Sequence, residues 1–125
     1  MSRSKMRKLE WMTLAAISTT AVFIPCGDWD LASGIVSAKA WGELRGRNGE
    51  FQLQPAVQTC NDVRNPDSAT AIGNVINTNG PIDPAAANVS TDTKTYIRPG
   101  WLVALGQGST LATGAACGFI ELRTA

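Results

Sequence analysis

Ala38-Lys-Ala-Trp41-Gly-Glu-Leu44-Arg-Gly-Arg47-Asn48-Gly49-Glu50-Phe51-Gln-Leu53-Gln-Pro-Ala-Val57-Gln-Thr-Cys60 reads as two strands about a turn. Asn-Gly is the strongest short-range hairpin signal, because a type I′ turn needs positive φ at both central residues and these two tolerate it best. With Arg47 and Glu50 flanking the turn, residue 46 pairs with 51, 44 with 53 and 40 with 57. Antiparallel partners share a face, so Leu44 with Leu53 and Ala40 with Val57 make one apolar face. Trp41, Glu43 and Arg45 then meet Gln52, Gln54 and Ala56 on the other, which is polar but for its tryptophan. This predicts a half-buried antiparallel sheet.

Working outward, 125 residues make one domain, long enough to bury a core without staples. Charged residues are 17%, below the usual quarter. Such a composition favours an all-β extracellular or virion-type domain over a cytosolic helical enzyme. The net charge of +1 hides an asymmetry, since four of the eleven basic residues, Arg3, Lys5, Arg7 and Lys8, precede the first acid. A basic N-terminal arm on a near-neutral body suits an acidic protein surface, nucleic acid or anionic lipid, or is a solvated tail.

Residues 1–24 invite comparison with a signal or anchor: a basic opening, then thirteen residues from Met12 to Ile24. That run has the length of a signal core and is too short to span a bilayer. Glu10 and Trp11 interrupt the junction, four hydroxyl residues dilute the run, and no small-x-small site follows closely. The expectation is one or two strands around 11–18 and 20–25, behind an arm of residues 1–10.

Beyond Cys60 the chain is irregular. Asn, Asp, Thr, Pro and Ala dominate residues 61–95, with Asn79-Gly80-Pro81 and Asp83-Pro84 as breakers. Brief strands are predicted at Ala69–Ile72 and Val75–Ile76 within this long loop region. It is a candidate for partner contact or for a flap over a sheet edge. A strand returns over Tyr96–Leu105, with Pro99 marking an edge or bulge. Over Leu111–Arg123, alternation puts Gly118, Ile120 and Leu122 on one face and Phe119, Glu121 and Arg123 on the other. Short strands, turn clusters and no amphipathic helix predict an all-β antiparallel β-sandwich, jelly-roll-like or Ig-like, with an extended N-terminal arm. Residues 11–125 form its single domain.

Chemistry fails constellation by constellation. Without histidine there is no Ser-His-Asp or Cys-His site and no histidine metal ligand. Three cysteines, Cys26, Cys60 and Cys117, cannot all pair and lack C-x-x-C spacing, which argues against zinc and for buried thiols; a Cys60–Cys117 disulfide is the alternative. Asp28-x-Asp30 offers two calcium ligands where six to eight are needed. Gly106-x-Gly108 lacks the remainder of any phosphate-binding fingerprint. Glu43 and Glu121 would need to stand about 5–10 Å apart across a cleft to act as a glycosidase pair. The reading is therefore non-enzymatic: no catalytic, metal or cofactor residues, no small-molecule substrate, and neither nucleic acid nor membrane as partner. Binding is the better case, with Trp41, Glu43, Arg45, Gln52 and Gln54 as a partner surface. Trp101, beside Leu102 and Val103, is expected in the core.

Trp41-Gly-Glu-Leu-Arg-Gly, Gln54-Pro-Ala-Val-Gln-Thr-Cys-Asn-Asp and Tyr96-Ile-Arg-Pro-Gly-Trp-Leu-Val resemble small β-sandwich virion proteins of tailed bacteriophages. These are capsid-decoration, head-fibre or tail-associated subunits. The resemblance covers about residues 38–125 and transfers no functional residue. It implies a structural role in the virion, as a capsid decoration or stabilisation subunit in many copies. Its partners would be capsid or tail subunits and further copies of itself, with Arg3, Lys5, Arg7 and Lys8 touching acidic shell surface. Two alternatives stand beside it: a carbohydrate-binding module, and a secreted or periplasmic envelope protein using residues 1–24.

Overall fold

The computed structural model describes residues 4–89, 91 and 93–124, and for residues 82–85 the backbone alone. Its strands are β1 (Ser4–Ala16), β2 (Val22–Pro25), β3 (Asp30–Leu31), β4 (Ile35–Asn48), β5 (Phe51–Cys60), β6 (Thr70–Ala71), β7 (Gly80–Asn88), β8 (Tyr96–Leu105) and β9 (Ala112–Thr124). One sheet runs β1-β9-β4-β7, the other β2-β8-β5-β6, with β3 also paired to β8. All the ladders are antiparallel. With the two-residue β3 set aside, eight strands pair in nested fashion: first with last, second with seventh, third with sixth, fourth with fifth. That is a jelly roll, a folded ribbon wrapped into two sheets.

Strand alternation decides what lies between the sheets. Leu9, Leu44 and Ile120 face inward from one sheet, and Phe51, Leu53 and Trp101 from the other, all fully buried. Trp101 is core as expected, and its indole N–H has no hydrogen-bond partner among the described residues. Gly118 keeps β9 close to β4: a methyl group there would collide with the Trp41 carbonyl oxygen.

The faces of residues 38–60 are as read from the sequence, since Ala40, Leu44, Leu53 and Val57 are all buried. Their pairing is not. β4 pairs with β7 and β9, β5 with β6 and β8, and no ladder joins β4 to β5. Asn48-Gly49 is a corner between the two sheets. Gly49 has φ 80° but Asn48 has no positive φ, so the turn is not type I′. Other loops tie the corner down. Glu50 N–H donates to Ser109 Oγ at 2.8 Å, Gly106 N–H to the Glu50 carbonyl at 2.6 Å, and Arg47 N–H to Asn79 Oδ1 at 2.9 Å.

Two further expectations are corrected. From Ser4 onward the basic N-terminal residues run inside β1, laddered to β9 over Ser4–Leu9, rather than leaving the body as an arm. Leu9, Leu14 and Ala16 are buried core, so residues 4–25 are built into the sandwich and do not read as a removable signal. The irregular region 61–95 also contains the nine-residue β7. Pro81 and Pro84 misled the reading because β7 is an edge strand, where a missing N–H is tolerated. Pro99, expected at an edge, lies in the interior strand β8. It stands where β2 has ended and β3 has not begun, and its carbonyl accepts from Cys26 N–H at 2.9 Å.

Candidate functional site

The face of the β1-β9-β4-β7 sheet turned away from the core carries the most distinctive side chains. β4 presents Lys39, Trp41, Glu43 and Arg45, and β9 presents Cys117, Phe119, Glu121 and Arg123. β1 adds Met6 and Lys8, and a bulge between Leu9 and Met12 turns Trp11 to the same side. The register stacks these in rows. Lys8, Phe119 and Trp41 stand opposite one another; Met6, Glu121 and Lys39 form the next row, and Cys117 with Glu43 the row on the other side. Met6 is 53% exposed, Trp11 49% and Phe119 44%, so large apolar groups cluster in solvent here.

Charges frame the aromatics. Lys39 Nζ lies 5.2 Å from the Trp41 ring centre, and the Arg45 guanidinium 5.3 Å from that of Trp11. Exposed cation–π contacts of this kind contribute about 0.5–1 kcal/mol each and hold the rings in place. Arg45 also pairs with Glu43 at 2.9 Å, Arg123 with Glu121, and Lys8 with Glu10 at 3.5 Å. Between the rings, burial pushes the Cys117 thiol above its ordinary pKa, and the Glu43 charge adds to the rise. An apolar centre inside a polar, sign-mixed rim is the anatomy of a protein interface.

Of the surface expected from the sequence, Trp41, Glu43 and Arg45 lie together on this face. Gln52 and Gln54 do not. They point outward from the other sheet, on the far side of the sandwich, because the corner at Asn48-Gly49 separates the strands that a hairpin would have joined. There Gln54 donates to the Gly73 carbonyl at 3.0 Å, and both amides line a shallow cavity of about 140 Å³ with Thr19 and Val75. A sugar stacked on Trp41 would thus find no flanking amides, which removes the geometric basis of the carbohydrate reading. Alternation along β9 already marked Phe119 as non-core. Trp11 was missed because the bulge moves it off the strict alternation of its strand.

The basic residues near the N-terminus are engaged within the chain. Lys5 reaches Asp30 at 2.6 Å, Arg7 also pairs with Asp30 and donates to the Asp28 carbonyl, and Lys8 has Glu10. Arg3 lies outside the described residues. Asp30 is therefore a partner for cations of its own chain, and among the described residues no group of three or more Cys, Asp or Glu could hold a metal ion. Glu43 and Glu121 share the outer face but lie on neighbouring strands four residues apart along the ladder, roughly 14 Å at standard sheet spacings, too far for a glycosidase pair. Cys60 and Cys117 are free and belong to different sheets.

On the opposite outer face Arg98 is fixed by Gln58 Oε1, which accepts from its Nε at 2.9 Å and its Nη2 at 2.7 Å. Its guanidinium stacks 4.2 Å from the Trp29 ring centre and 5.9 Å from that of Phe23. This cluster closes over sheet residues and its cation is already spoken for.

No known family's sequence profile matches the chain, and no curated protein matches it in sequence. Solved structures do match in fold. A structure of T=1 particles derived from infectious bursal virus superposes with TM-score 0.66 at 12% identity, over 98% of this chain and 32% of that one. The Gx strain of infectious bursal disease virus gives TM-score 0.64 at 13% identity, over 99% and 33%. The VP2 subviral particle of that virus gives 0.60 at 13%, over 98% and 33%. The chain spans about a third of the length of these proteins. None of the three is a tailed-phage subunit, and at 12–13% identity they bear on the fold rather than on the narrower resemblance read from the sequence. Across nearly its whole length, the chain has the β-sandwich fold found in these virus-particle structures.

Proposed function

We propose that this chain is a non-enzymatic structural subunit of a virion, present in many copies on a protein shell. The observation that carries the reading is the nested two-sheet fold, which superposes over 98% of the chain on a protein of virus-derived T=1 particles. The aromatic face supports it, because a sandwich with its own filled core has no structural need to expose Trp11, Phe119 and Met6. The finer reading is a decoration or stabilisation subunit, docking on a shell built by other chains. Each copy would add modest apolar burial at about 25 cal/mol per Å², and multiplicity would turn weak single contacts into strong retention.

The experiment is sedimentation of native particles followed by intact-mass analysis of the pelleted chains. The chain is expected to co-sediment at high copy number and to be shed by Trp41→Ala. A chain found only in small soluble species overturns the proposal.

A further inference from the structure

The outer face of the β1-β9-β4-β7 sheet fits a second copy of itself. Its rim interleaves both signs: Lys8, Lys39 and Arg45 against Glu10, Glu43 and Glu121. A uniformly acidic or basic partner would meet like charge on half of this rim, whereas a surface with the same interleaving can satisfy it. The register says how. The row Lys8–Phe119–Trp41 crosses three strands near the middle of the face. On one side of it lies the row containing Met6 and Lys39, and on the other lie Trp11 and Glu43. A two-fold axis in the interface plane, laid along the central row, exchanges the flanking rows. Lys39 of one copy then stands over Glu43 of the other, Met6 over Trp11 and Glu121 over Cys117, each twice, while Phe119 and Trp41 meet their own counterparts at the centre. Lys8 meets Lys8 only at the exposed margin, where each has Glu10 at 3.5 Å.

The size is also suitable. Four strands at about 4.8 Å spacing and about eight residues at about 3.3 Å rise make a face on the order of 500 Å². Two such faces bury about 1,000 Å², the lower bound of a specific, reversible interface. Two-fold pairing is also the commonest closed symmetry for identical chains. We infer that two copies of this chain pair face to face through this sheet, with Lys39 and Glu43 as reciprocal partners across the two-fold axis. The inference rests on the structural reading above in taking the face as an interface, and it names the partner.

A charge-exchange series tests it by analytical ultracentrifugation of the full chain. Lys39→Glu sets glutamate against Glu43 of the other copy, and Glu43→Lys sets lysine against Lys39. Each variant alone should self-associate at least tenfold more weakly than the parent. Mixed in equal amounts they place opposite charges at both contacts, so the mixture should regain parental association. That recovery also excludes misfolding as the cause of either loss. A parent that stays monomeric at high concentration overturns the inference, as do variants that associate like the parent or a mixture that stays monomeric. A monomeric parent still retained by native particles overturns the pairing and leaves the virion reading intact. A dimer absent from particles does the reverse.

Discussion

Gly118 shows how little freedom a single position in this sandwich has. It faces Gly42 across the β4–β9 ladder and Leu9 across the β1–β9 ladder, and the Trp41 carbonyl occupies the space where a side chain would begin. Backbone cannot yield as a flexible side chain can, so Gly118→Ala should destabilise the fold by about 1–3 kcal/mol, the cost of overpacking a tight site. Urea unfolding midpoints check this, and an unchanged midpoint would mean that the strands separate freely. Cys26 makes a second residue-scale prediction. Burial pushes its thiol up to about 11, and the thiol lies 3.3 Å from the Met12 sulfur. At pH 8 about one in a thousand such groups is thiolate, so alkylation should run about a hundredfold slower than for an unperturbed cysteine. Burial raises Cys60 and Cys117 as well, so all three thiols should label slowly in the native state and rapidly in denaturant.

Among the elements, the loop after β5 depends on one carboxylate. Lys94 pairs with Asp67 at 2.7 Å and the Thr59 hydroxyl donates to it at 2.9 Å, and these hold its pKa below the ordinary carboxylate value, Lys94 most strongly. A lowered folded pKa gives stability that is complete above the unfolded value, near 3.9, and disappears as pH falls through the lowered one. Thermal midpoints should therefore fall on acidification below about pH 4, and Asp67→Asn should flatten that fall. Equal slopes for parent and variant would assign the acid sensitivity elsewhere. The elements also show what the sequence could reveal. Alternation in residues 40–57 and 118–122 identified the buried faces, because strand side chains alternate whatever partner the strand takes. Pairing is a different matter. Asn48-Gly49 looks the same in a hairpin as at a corner between sheets, and only contacts with Ser109, Gly106 and Asn79, distant in sequence, decide between them. The same error split the expected surface: Trp41, Glu43 and Arg45 were placed together correctly, while Gln52 and Gln54 went to the far face with β5. β7 was hidden because its prolines read as breakers, although an edge strand tolerates the missing N–H.

For the whole molecule, nesting makes nearly every ladder long in sequence. β1 pairs with β9, so Ser4 stands opposite Arg123, and β2 pairs with β8 across a similar span. Closing such loops costs entropy before any contact rewards it. Refolding from urea should accordingly take milliseconds to seconds, within the range of other all-β sandwiches, and a microsecond phase carrying the full amplitude would contradict this.

The adjacency of Ser4 and Arg123 has a mechanical side as well. Tension applied between those two residues pulls antiparallel neighbours apart from one end, so the rungs of the β1–β9 ladder break one after another at low force. Shear along the strands loads all the rungs of that ladder together. A sandwich built this way withstands shear along its strands and opens readily when tugged at that corner.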